Sequence, residues 1–344
     1  MSTRTAACAA FLDRHGQSAA VRTPVSGDAS NRRYERLALD GRTTILMDAP
    51  PEKGEDVRPF IRIATHLRAC GLSAPEILAA DEAQGFLLLE DLGDDLYARI
   101  LETLSGSALA EAEMRLYAPA IDALADLHAA PLPAGIAAYD APLMSDLAAL
   151  PFDWYLQGLG QPDAAGRATF HAAIRARLAE LDRQPQVLIL RDYHAENLIW
   201  LPGRDGAARV GQLDFQDAMA GHPAYDMVSL LQDARRDVSP DLAQVMIARY
   251  CAATVTDPEA FAAAYHLLGL QRNMRILGVF SRLCIRDGKP RYLGFIPRVW
   301  DHIQRDLAHP TLADLAPLVT GALPPPTPDR LARLKEQCAS PLTA

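Results

Sequence analysis

The segment Arg191-Asp192-Tyr193-His194-Ala195-Glu196-Asn197 is followed, seventeen residues after Asn197, by Asp214 in Leu213-Asp214-Phe215. The apolar runs 187–190 and 198–201 on either side of the first segment predict short buried strands. Turn residues at 202–206 and a further run at 209–213 predict a hairpin that ends at Asp214. Asp192 is therefore expected in a loop after one strand, and Asp214 at the exit of a hairpin.

This set of polar residues is the one that phosphoryl transfer from ATP requires. Asp192 is the candidate catalytic base, which orients the attacking hydroxyl and accepts its proton. Asn197 and Asp214 are the candidate ligands of a Mg²⁺ ion that bridges the phosphates. A single Asp or Asn in a loop is usually a turn residue, but the spaced set between strands favours the catalytic interpretation.

The segment resembles the catalytic and metal loops of the aminoglycoside-phosphotransferase-like kinases, which are small-molecule relatives of the protein kinases. Pro223-Ala224-Tyr225-Asp226 also matches their pattern. The resemblance implies that Asp226 has a structural role and braces the catalytic loop from the following helix. Without the resemblance, Asp226 is interpreted as a residue that satisfies the orphan amides of a helix N-terminus.

The same resemblance predicts an α+β, bilobal, protein-kinase-like fold. We expect an N-lobe at 1–91 with a small antiparallel sheet and one main helix, and a larger, mostly helical C-lobe at 92–322. Pro324-Pro325-Pro326-Thr327-Pro328 predicts a stiff spacer, so that 323–344 is a Pro-rich spacer and tail.

Composition agrees with an intracellular enzyme. The 344 residues are 49% hydrophobic and 22% charged, enough for two lobes with cores of their own. Five cysteines form no CxxC pair, which favours reduced thiols in a cytoplasm. A net charge of −9 argues against a nucleic-acid partner, and no apolar run is long enough for a membrane span. We expect a cytoplasmic monomer with no nucleic-acid or membrane partner.

The predicted phosphate-binding loop lies between the first two strands of a meander at 20–48, in which Asp40-Gly41 is a hairpin signal. Small residues there allow backbone amides to approach phosphates, and arginines add positive charge. The loop is also compatible with an ordinary hairpin connection. The candidate ATP-binding residues in it are Ser26, Gly27, Asp28, Ser30, Asn31, Arg32 and Arg33.

Kinases carry a lysine on the strand after this loop, paired with a glutamate of the main helix, but here Met47 occupies the position. The chain has only three lysines: Lys53, Lys289 and Lys335. Either the protein is an inactive kinase-like scaffold, or another cation binds the phosphates, such as Lys53 or an arginine at 32, 33 or 36. The intact set of Asp192, Asn197 and Asp214 favours an active enzyme.

The main helix of the N-lobe is predicted over 55–70, with Glu55 as the acidic candidate at its start. Two strands are predicted at 76–80 and 85–89, and the second runs into Glu90-Asp91-Leu92-Gly93. This stretch resembles the hinge of the family. The resemblance implies that backbone groups of Glu90, Asp91 and Leu92 meet the adenine edge of ATP.

The segment 271–300 holds seven basic residues and one acid in a chain that is acidic as a whole. At about 100° per residue, Arg272, Arg275, Arg282 and Arg286 fall on one face of a predicted helix. The face is either a solvated charge stripe or part of an acceptor site that holds an anion. The candidate substrate-binding residues are Arg272 and Arg275, His194 and Glu196 of the catalytic loop, and Trp154, whose ring could stack on a sugar.

The arginine-rich segment, together with 27–34 and 47–51, resembles a bacterial subgroup that contains the N-acetylmuramate/N-acetylglucosamine anomeric kinases of cell-wall recycling. This resemblance implies an ATP- and Mg²⁺-dependent kinase that phosphorylates the 1-hydroxyl of one or both sugars. A polycationic aminoglycoside does not fit the basic segment. The alternatives are a kinase of another small hydroxyl compound, such as an amino alcohol or an antibiotic, and a catalytically inactive nucleotide-binding module.

Overall fold

The computed structural model describes residues 3–25 and 31–339. By packing, this chain falls into two compact units. The first is built from residues up to 130 together with 195–218, and the second from 131–194 together with the residues from 219 onward.

The chain alternates short strands with helices of very different length. The nine strands of the described residues are β1 (Val21–Val25), β2 (Arg33–Leu39), β3 (Arg42–Asp48), β4 (Ile77–Asp81), β5 (Phe86–Glu90), β6 (Val187–Ile189), β7 (Leu198–Trp200), β8 (Val210–Gln212) and β9 (Met219–Gly221). The first six helices are α1 (Thr3–Arg14), α2 (Arg58–Ala69), α3 (Tyr97–Glu102), α4 (Gly106–Ala129), α5 (Ala141–Ala148) and α6 (Ala164–Leu181). The remaining helices are α7 (Ala224–Leu231), α8 (Pro240–Thr254), α9 (Pro258–Ile285), α10 (Ile296–Leu307), α11 (Ala316–Ala322) and α12 (Pro328–Glu336).

The first unit is organised around an antiparallel five-stranded sheet in the order β1-β2-β3-β5-β4. Asp40 and Gly41 form the predicted two-residue turn between β2 and β3, and both have positive φ (50° and 74°). This conformation matches the right-handed twist of the flanking strands. α1 covers the sheet through a core that contains Phe11, Leu46 and Phe86.

The main helix of this unit, α2, begins at Arg58 rather than at Glu55, so the predicted start is wrong by three residues. Pro59 occupies the first turn, where a missing N–H costs no hydrogen bond. The Asp56 carboxylate accepts a hydrogen bond from the Arg58 amide at 2.9 Å. Glu55 therefore lies before the helix, and its carboxylate is available to the chain at residues 31 and 32.

The predicted hairpin at 198–213 is present in the first unit as the antiparallel pair β7–β8. α4 also belongs to this unit and begins at Gly106.

The second unit contains the two-stranded ladder β6–β9 and the helices α5 to α12. α9 is its longest helix, and between residues 264 and 285 most of its side chains are buried. α5, α7 and α10 all pack against α9, which agrees with a helix that is covered on more than one face. The segment predicted as a spacer and tail contains α12, and Leu334 of α12 is fully buried.

The predicted α+β class, with a small antiparallel sheet beside one main helix and a larger helical part, is confirmed. The lobe limits at 91/92 and 322/323 stay a prediction, since packing divides the chain by a different criterion. No helix within 3–25 and 31–339 is both long and apolar enough to cross a membrane.

Candidate active site

Asp192 lies in the second unit, on a tight turn directly after β6. Arg191 has a left-handed backbone (φ 71°), a conformation that costs a non-glycine residue about 1–2 kcal/mol. The Asp192 amide donates to the Leu190 carbonyl at 2.9 Å and closes the turn. Such a backbone persists only where its surroundings fix it.

Asp226, in the first turn of α7, fixes this turn. Its carboxylate accepts hydrogen bonds from the amides of Leu190 (2.6 Å) and Arg191 (2.8 Å). Both bonds reach back to the loop before Asp192 instead of satisfying amides of α7. Burial raises the pKa of Asp226 to about 7, against the lowering effects of these two bonds and of Arg272.

The Asp192 carboxylate lies in a positively charged environment within the second unit. Burial acts to raise its pKa, but Arg275, Arg272 and His194 outweigh this effect, with a smaller contribution from Arg191. The net direction is downward, so the carboxylate is held in its ionised form. An ionised carboxylate is the form that can accept a proton from a hydroxyl.

A cluster of aromatic hydroxyls supports the Arg275 side chain. Arg275 Nη1 donates to the Tyr225 hydroxyl at 3.3 Å, and the Tyr225 and Tyr139 hydroxyls are 3.2 Å apart. The guanidinium of Arg191 lies 5.3 Å from the centre of the Tyr139 ring, within the range of a cation–π interaction. Tyr139 and Tyr225 are therefore part of the site, although neither residue was predicted to have a role in it.

His194, a predicted substrate residue, is buried in the second unit with 5% of its surface exposed. Burial lowers its pKa to about 4, although Asp233 and Asp192 act in the opposite direction, so its imidazole is neutral at pH 7. Arg235 Nη1 lies 3.4 Å from His194 Nε2. Among the other predicted substrate residues, Trp154 is half-buried in a π-helical turn of the second unit, and Glu196 is exposed in the first.

Asn197 and Asp214 lie together in the first unit, at the open end of the β7–β8 hairpin. The Leu213 amide donates to the Asn197 carbonyl at 2.9 Å, so the hairpin ladder brings Asn197 next to the residue before Asp214. Asp214 has a left-handed backbone (φ 55°), and its carboxylate accepts a bond from Gln216 Nε2 at 2.8 Å.

The donor set of this hairpin suits a hard cation. An amide oxygen and a carboxylate are ligands that Mg²⁺ accepts, with water and substrate phosphates in its other positions. No group of three or more His, Cys, Asp or Glu side chains that could hold a metal is present in the described chain. Asn197 and Asp214 thus fit a magnesium ion shared with phosphates rather than one enclosed by protein.

The predicted ATP-binding loop is partly described. Ser26, Gly27, Asp28 and Ser30 lie outside the described residues. Arg32 Nε donates to the Glu55 carboxylate at 2.8 Å, and the Asn31 amide donates to the same carboxylate at 3.0 Å. The guanidinium and carboxylate side chains are 14% and 12% exposed, whereas Arg33 is exposed.

Charges of this ion pair and of the β7–β8 hairpin both act on Tyr34. Burial raises the pKa of Tyr34, Arg32 lowers it, and Asp214 raises it, so the phenol lies close to both charges. Phe215, directly after Asp214, packs against Phe60 of α2 with the ring centres 4.8 Å apart and the ring planes tilted by 32°. The arginine–glutamate pair and the Asp214 carboxylate therefore belong to one packed region of the first unit.

The side chains of the predicted hinge are used in ion pairs. The Glu90 carboxylate pairs with Arg204, and Asp91 pairs with Arg36 at 2.7 Å. The Glu90 amide donates to the Glu76 carbonyl. Because the Glu90 and Asp91 side chains and the Glu90 amide are already bonded, the adenine contact proposed for Glu90, Asp91 and Leu92 would involve their other backbone groups.

The arginines of the basic segment do not share one environment. Arg272 is only 4% exposed, and Arg275 and Arg282 are half-buried. α9 ends at Ile285, so Arg286 lies beyond the helix, where it pairs with Asp287 at 2.6 Å. The prediction of a single helical face of four arginines is therefore wrong at Arg286, and the first half of the stripe is internal.

Residues 21–264 match the profile of a family described as "Phosphotransferase enzyme family". The chain belongs to this phosphotransferase family. Membership implies an enzyme that transfers a phosphoryl group with ATP as the donor, and it confirms the family predicted from the sequence.

Curated relatives cover most of the chain. An N-acetylmuramate/N-acetylglucosamine kinase of Caulobacter vibrioides is 44% identical over 91% of this chain and 95% of its own length. Enzymes with the same description from Pseudomonas aeruginosa and Neisseria meningitidis are 37% and 33% identical, each over 86% of this chain and 87–88% of their own.

Solved structures confirm the protein-kinase-like fold. A putative aminoglycoside phosphotransferase from Ralstonia eutropha has a TM-score of 0.58 at 14% identity, over 96% of this chain and 98% of its own. A choline/ethanolamine kinase family protein from Mesorhizobium loti has a TM-score of 0.57 at 15% identity, over 97% and 100%. At this identity, the likeness concerns the fold.

Proposed function

We propose that this protein transfers the γ-phosphoryl group of ATP to the 1-hydroxyl of N-acetylmuramate and N-acetylglucosamine, with Mg²⁺ as cofactor, in the cytoplasm and as a monomer. The observation that carries the proposal is the 44% identity to a kinase described for these two sugars, over nearly the full length of both chains. The turn that presents Asp192 and the hairpin that holds Asn197 and Asp214 supply the groups that the reaction needs.

In the proposed reaction, the oxygen of the sugar's 1-hydroxyl forms a bond to the γ-phosphorus, and the bond to the β–γ bridging oxygen breaks, releasing ADP. Asp192 accepts the hydroxyl proton. An anomeric hydroxyl is more acidic than an ordinary alcohol, so a carboxylate kept ionised by neighbouring arginines is a sufficient base.

Asn197 and Asp214 would hold the Mg²⁺ ion, which when bound neutralises charge on the phosphates. Arg32, oriented by Glu55, supplies the positive charge that the missing strand lysine supplies in other kinases. This assignment is supported by the 2.8 Å ion pair and by the exposure of Arg33 and Lys53. A guanidinium offers several N–H donors, so Arg32 can keep its bond to Glu55 and still bind phosphate.

For the acceptor, Arg275, His194, Glu196 and Trp154 remain the proposed contacts. Arg275 is the arginine we assign to the lactyl carboxylate of N-acetylmuramate, because it is half-buried and donates within the described chain to the neutral hydroxyl of Tyr225. Arg272 donates instead to the Ser229 hydroxyl, which is bonded to the Arg191 carbonyl of the turn before Asp192.

The test is acceptor-stimulated release of ADP, measured with N-acetylmuramate, N-acetylglucosamine, choline and kanamycin at equal concentration, with ³¹P NMR of the product. We expect strong stimulation by the two amino sugars and a sugar 1-phosphate as product. Stimulation by choline or kanamycin alone would identify another small-molecule kinase. Nucleotide binding without stimulation by any acceptor would identify an inactive module.

A further inference from the structure

Arg272 is a buried cation that donates its hydrogen bond to a neutral hydroxyl. It is 4% exposed, and its one hydrogen bond runs from Nη2 to the Ser229 hydroxyl at 2.8 Å. Within the described chain, Nε and Nη1 have no hydrogen-bond partner. A buried charge without a carboxylate at hydrogen-bond distance is costly, so its retention here calls for a functional reason.

The Ser229 hydroxyl connects Arg272 to the turn that carries Asp192. Ser229 Oγ donates to the Arg191 carbonyl at 3.2 Å. A hydroxyl has one proton, and its lone pairs accept bonds from other donors. Because Arg272 Nη2 occupies an acceptor position of Ser229, the hydroxyl proton is directed at the Arg191 carbonyl.

The backbone at 190–192 is therefore held by α7 on both its donor and its acceptor side. Asp226 takes the amide hydrogens of Leu190 and Arg191, and Ser229 supplies a proton to the Arg191 carbonyl. Arg191 is the residue with the left-handed backbone. Among these groups, Arg272 is the one that comes from α9. It contacts the turn indirectly, through the Ser229 hydroxyl of α7.

The charges around Asp192 are positive in sum. Its own loop contributes Arg191 and His194, α9 contributes Arg272 and Arg275, and α7 contributes Asp226. His194 is held neutral by its lowered pKa. Three guanidinium groups therefore face two carboxylates, and the ionised form of Asp192 is favoured.

We propose that Arg272 is a positioning residue: through the Ser229 hydroxyl it holds the left-handed turn at Arg191, and it places a positive charge next to that turn. The inference rests on the proposed role of Asp192 as the base. It assigns Arg272 to the catalytic loop rather than to the acceptor, and so it changes the expected result of substituting Arg272. An acceptor contact would discriminate between the two sugars, whereas a positioning residue acts equally on both.

The experiment compares Arg272→Met, Arg272→Lys and Ser229→Ala with Arg286→Met, which removes an exposed arginine beyond α9. For each variant, kcat and KM are measured across pH with both sugars, and folding is checked by thermal unfolding. Arg272→Met should lower kcat about 10- to 100-fold for both sugars, which corresponds to one lost charge-assisted bond, with acceptor KM unchanged. Arg286→Met should match the wild type.

The pH profile separates the two parts of the role. Arg272 lowers the pKa of both Asp192 and Asp226, so loss of its charge should move the acid limb of kcat to higher pH in Arg272→Met. Arg272→Lys retains the charge and should keep the acid limb near the wild-type position. Ser229→Ala should lower kcat severalfold with little movement of the limb, because it removes the hydroxyl bridge and leaves the arginine.

Two results would overturn the proposal. One is a loss confined to N-acetylmuramate, or expressed in its KM alone, which would make Arg272 an acceptor contact. The other is an unmoved acid limb in Arg272→Met; if that variant does not fold, a wild-type kcat in both Arg272→Lys and Ser229→Ala has the same force. Failure of the proposed function looks different: the wild type would then not phosphorylate the sugars, and the same profiles are measured with whichever acceptor stimulates ADP release.

Discussion

The candidate-site arginines of the two units have different hydrogen-bond partners. In the first unit, Arg32 pairs with Glu55, and Arg36 pairs with Asp91 and Asp94, all at 2.7–2.8 Å. In the second unit, Arg272 and Arg275 donate instead to the hydroxyls of Ser229 and Tyr225. In the first unit, nearby carboxylates neutralise these guanidinium groups. In the second unit, the hydrogen-bond partners are neutral, so the charge of each guanidinium group acts on more distant groups.

The candidate carboxylates of the site differ in the same way. Asp214 accepts a bond from the neutral amide of Gln216, and we propose it as a ligand of Mg²⁺. Guanidinium groups lower the pKa of Asp192 and so favour its ionised form. Under the proposed function, the residues of the first unit would bind phosphates and Mg²⁺, and those of the second would bind the reacting hydroxyl.

The largest effect is expected for Asp214, the proposed metal ligand. Asp214→Ala should lower Mg²⁺-dependent turnover roughly 10³-fold or more, because several kcal/mol of charge stabilisation depend on the ion. Asp205→Ala, in the exposed turn of the same hairpin, is the matched control and should be silent. Unchanged Mg·ATP affinity in calorimetry, together with unchanged turnover, would remove Asp214 from the metal site.

Asp192→Asn comes next. General-base assistance is worth about 10²-fold or more, so kcat should fall by at least that factor with nucleotide affinity nearly kept. Titration with Mg²⁺ distinguishes the two carboxylates: the metal requirement should stay unchanged in Asp192→Asn and should rise in Asp214→Asn. If the Mg²⁺ requirement rises equally in both variants, Asp192 also contributes to metal binding.

Arg32→Ala should raise the KM for ATP roughly 10- to 100-fold, the equivalent of a lost charge-assisted bond. Glu55→Gln should raise it less, because it only releases the guanidinium. Arg33→Ala is the matched control, since Arg33 is exposed and adjacent in sequence. If Arg32→Ala is silent and Lys53→Ala is damaging, the phosphate contact belongs to Lys53.

Arg275→Met should reduce kcat/KM about tenfold more for N-acetylmuramate than for N-acetylglucosamine, which lacks the lactyl carboxylate. This selective loss contrasts with the equal loss expected for Arg272→Met. Equal losses for both sugars in the Arg275 variant would assign both arginines to the catalytic loop.

The smallest effect is expected where charges are already paired. Arg36→Met should leave kcat and KM within about twofold and cost about 0.2–1 kcal/mol of unfolding free energy, as for other partly exposed ion pairs. Burial acts to raise the pKa of Asp91, but bonds from Arg36, Gly93 and Thr43 lower it on balance. This stabilisation is therefore present above the unfolded-state pKa of Asp91 and is lost as the pH falls through its folded-state pKa. Urea unfolding at two pH values measures the difference.

Local sequence patterns predicted the parts of the site that depend on local structure. The hairpin that carries Asp214 follows from two apolar runs around turn residues, and the Asp40-Gly41 turn follows from its dipeptide. The start of α2 was wrong, although Pro59 is the kind of first-turn residue that marks a helix beginning near Arg58.

The parts that were missed depend on pairing across long stretches of chain. Tyr139 and Tyr225 are 86 residues apart, and Arg32 and Glu55 are 23 apart, so neither pair leaves a periodic signal. Helical periodicity shows that Arg272 shares a face with other arginines, but it does not show that the face is covered. α7 packs against α9 and makes Arg272 an internal residue.

The most direct test of the central claim follows the oxygen of the acceptor. N-acetylmuramate labelled with ¹⁸O at the anomeric hydroxyl is converted with ATP, Mg²⁺ and the wild-type protein, and the product is analysed by ³¹P NMR. We expect a phosphate signal with the isotope shift of a bridging ¹⁸O, because the labelled oxygen forms the new bond to phosphorus. A product whose phosphate shows no shift, and therefore sits on another hydroxyl, would contradict it.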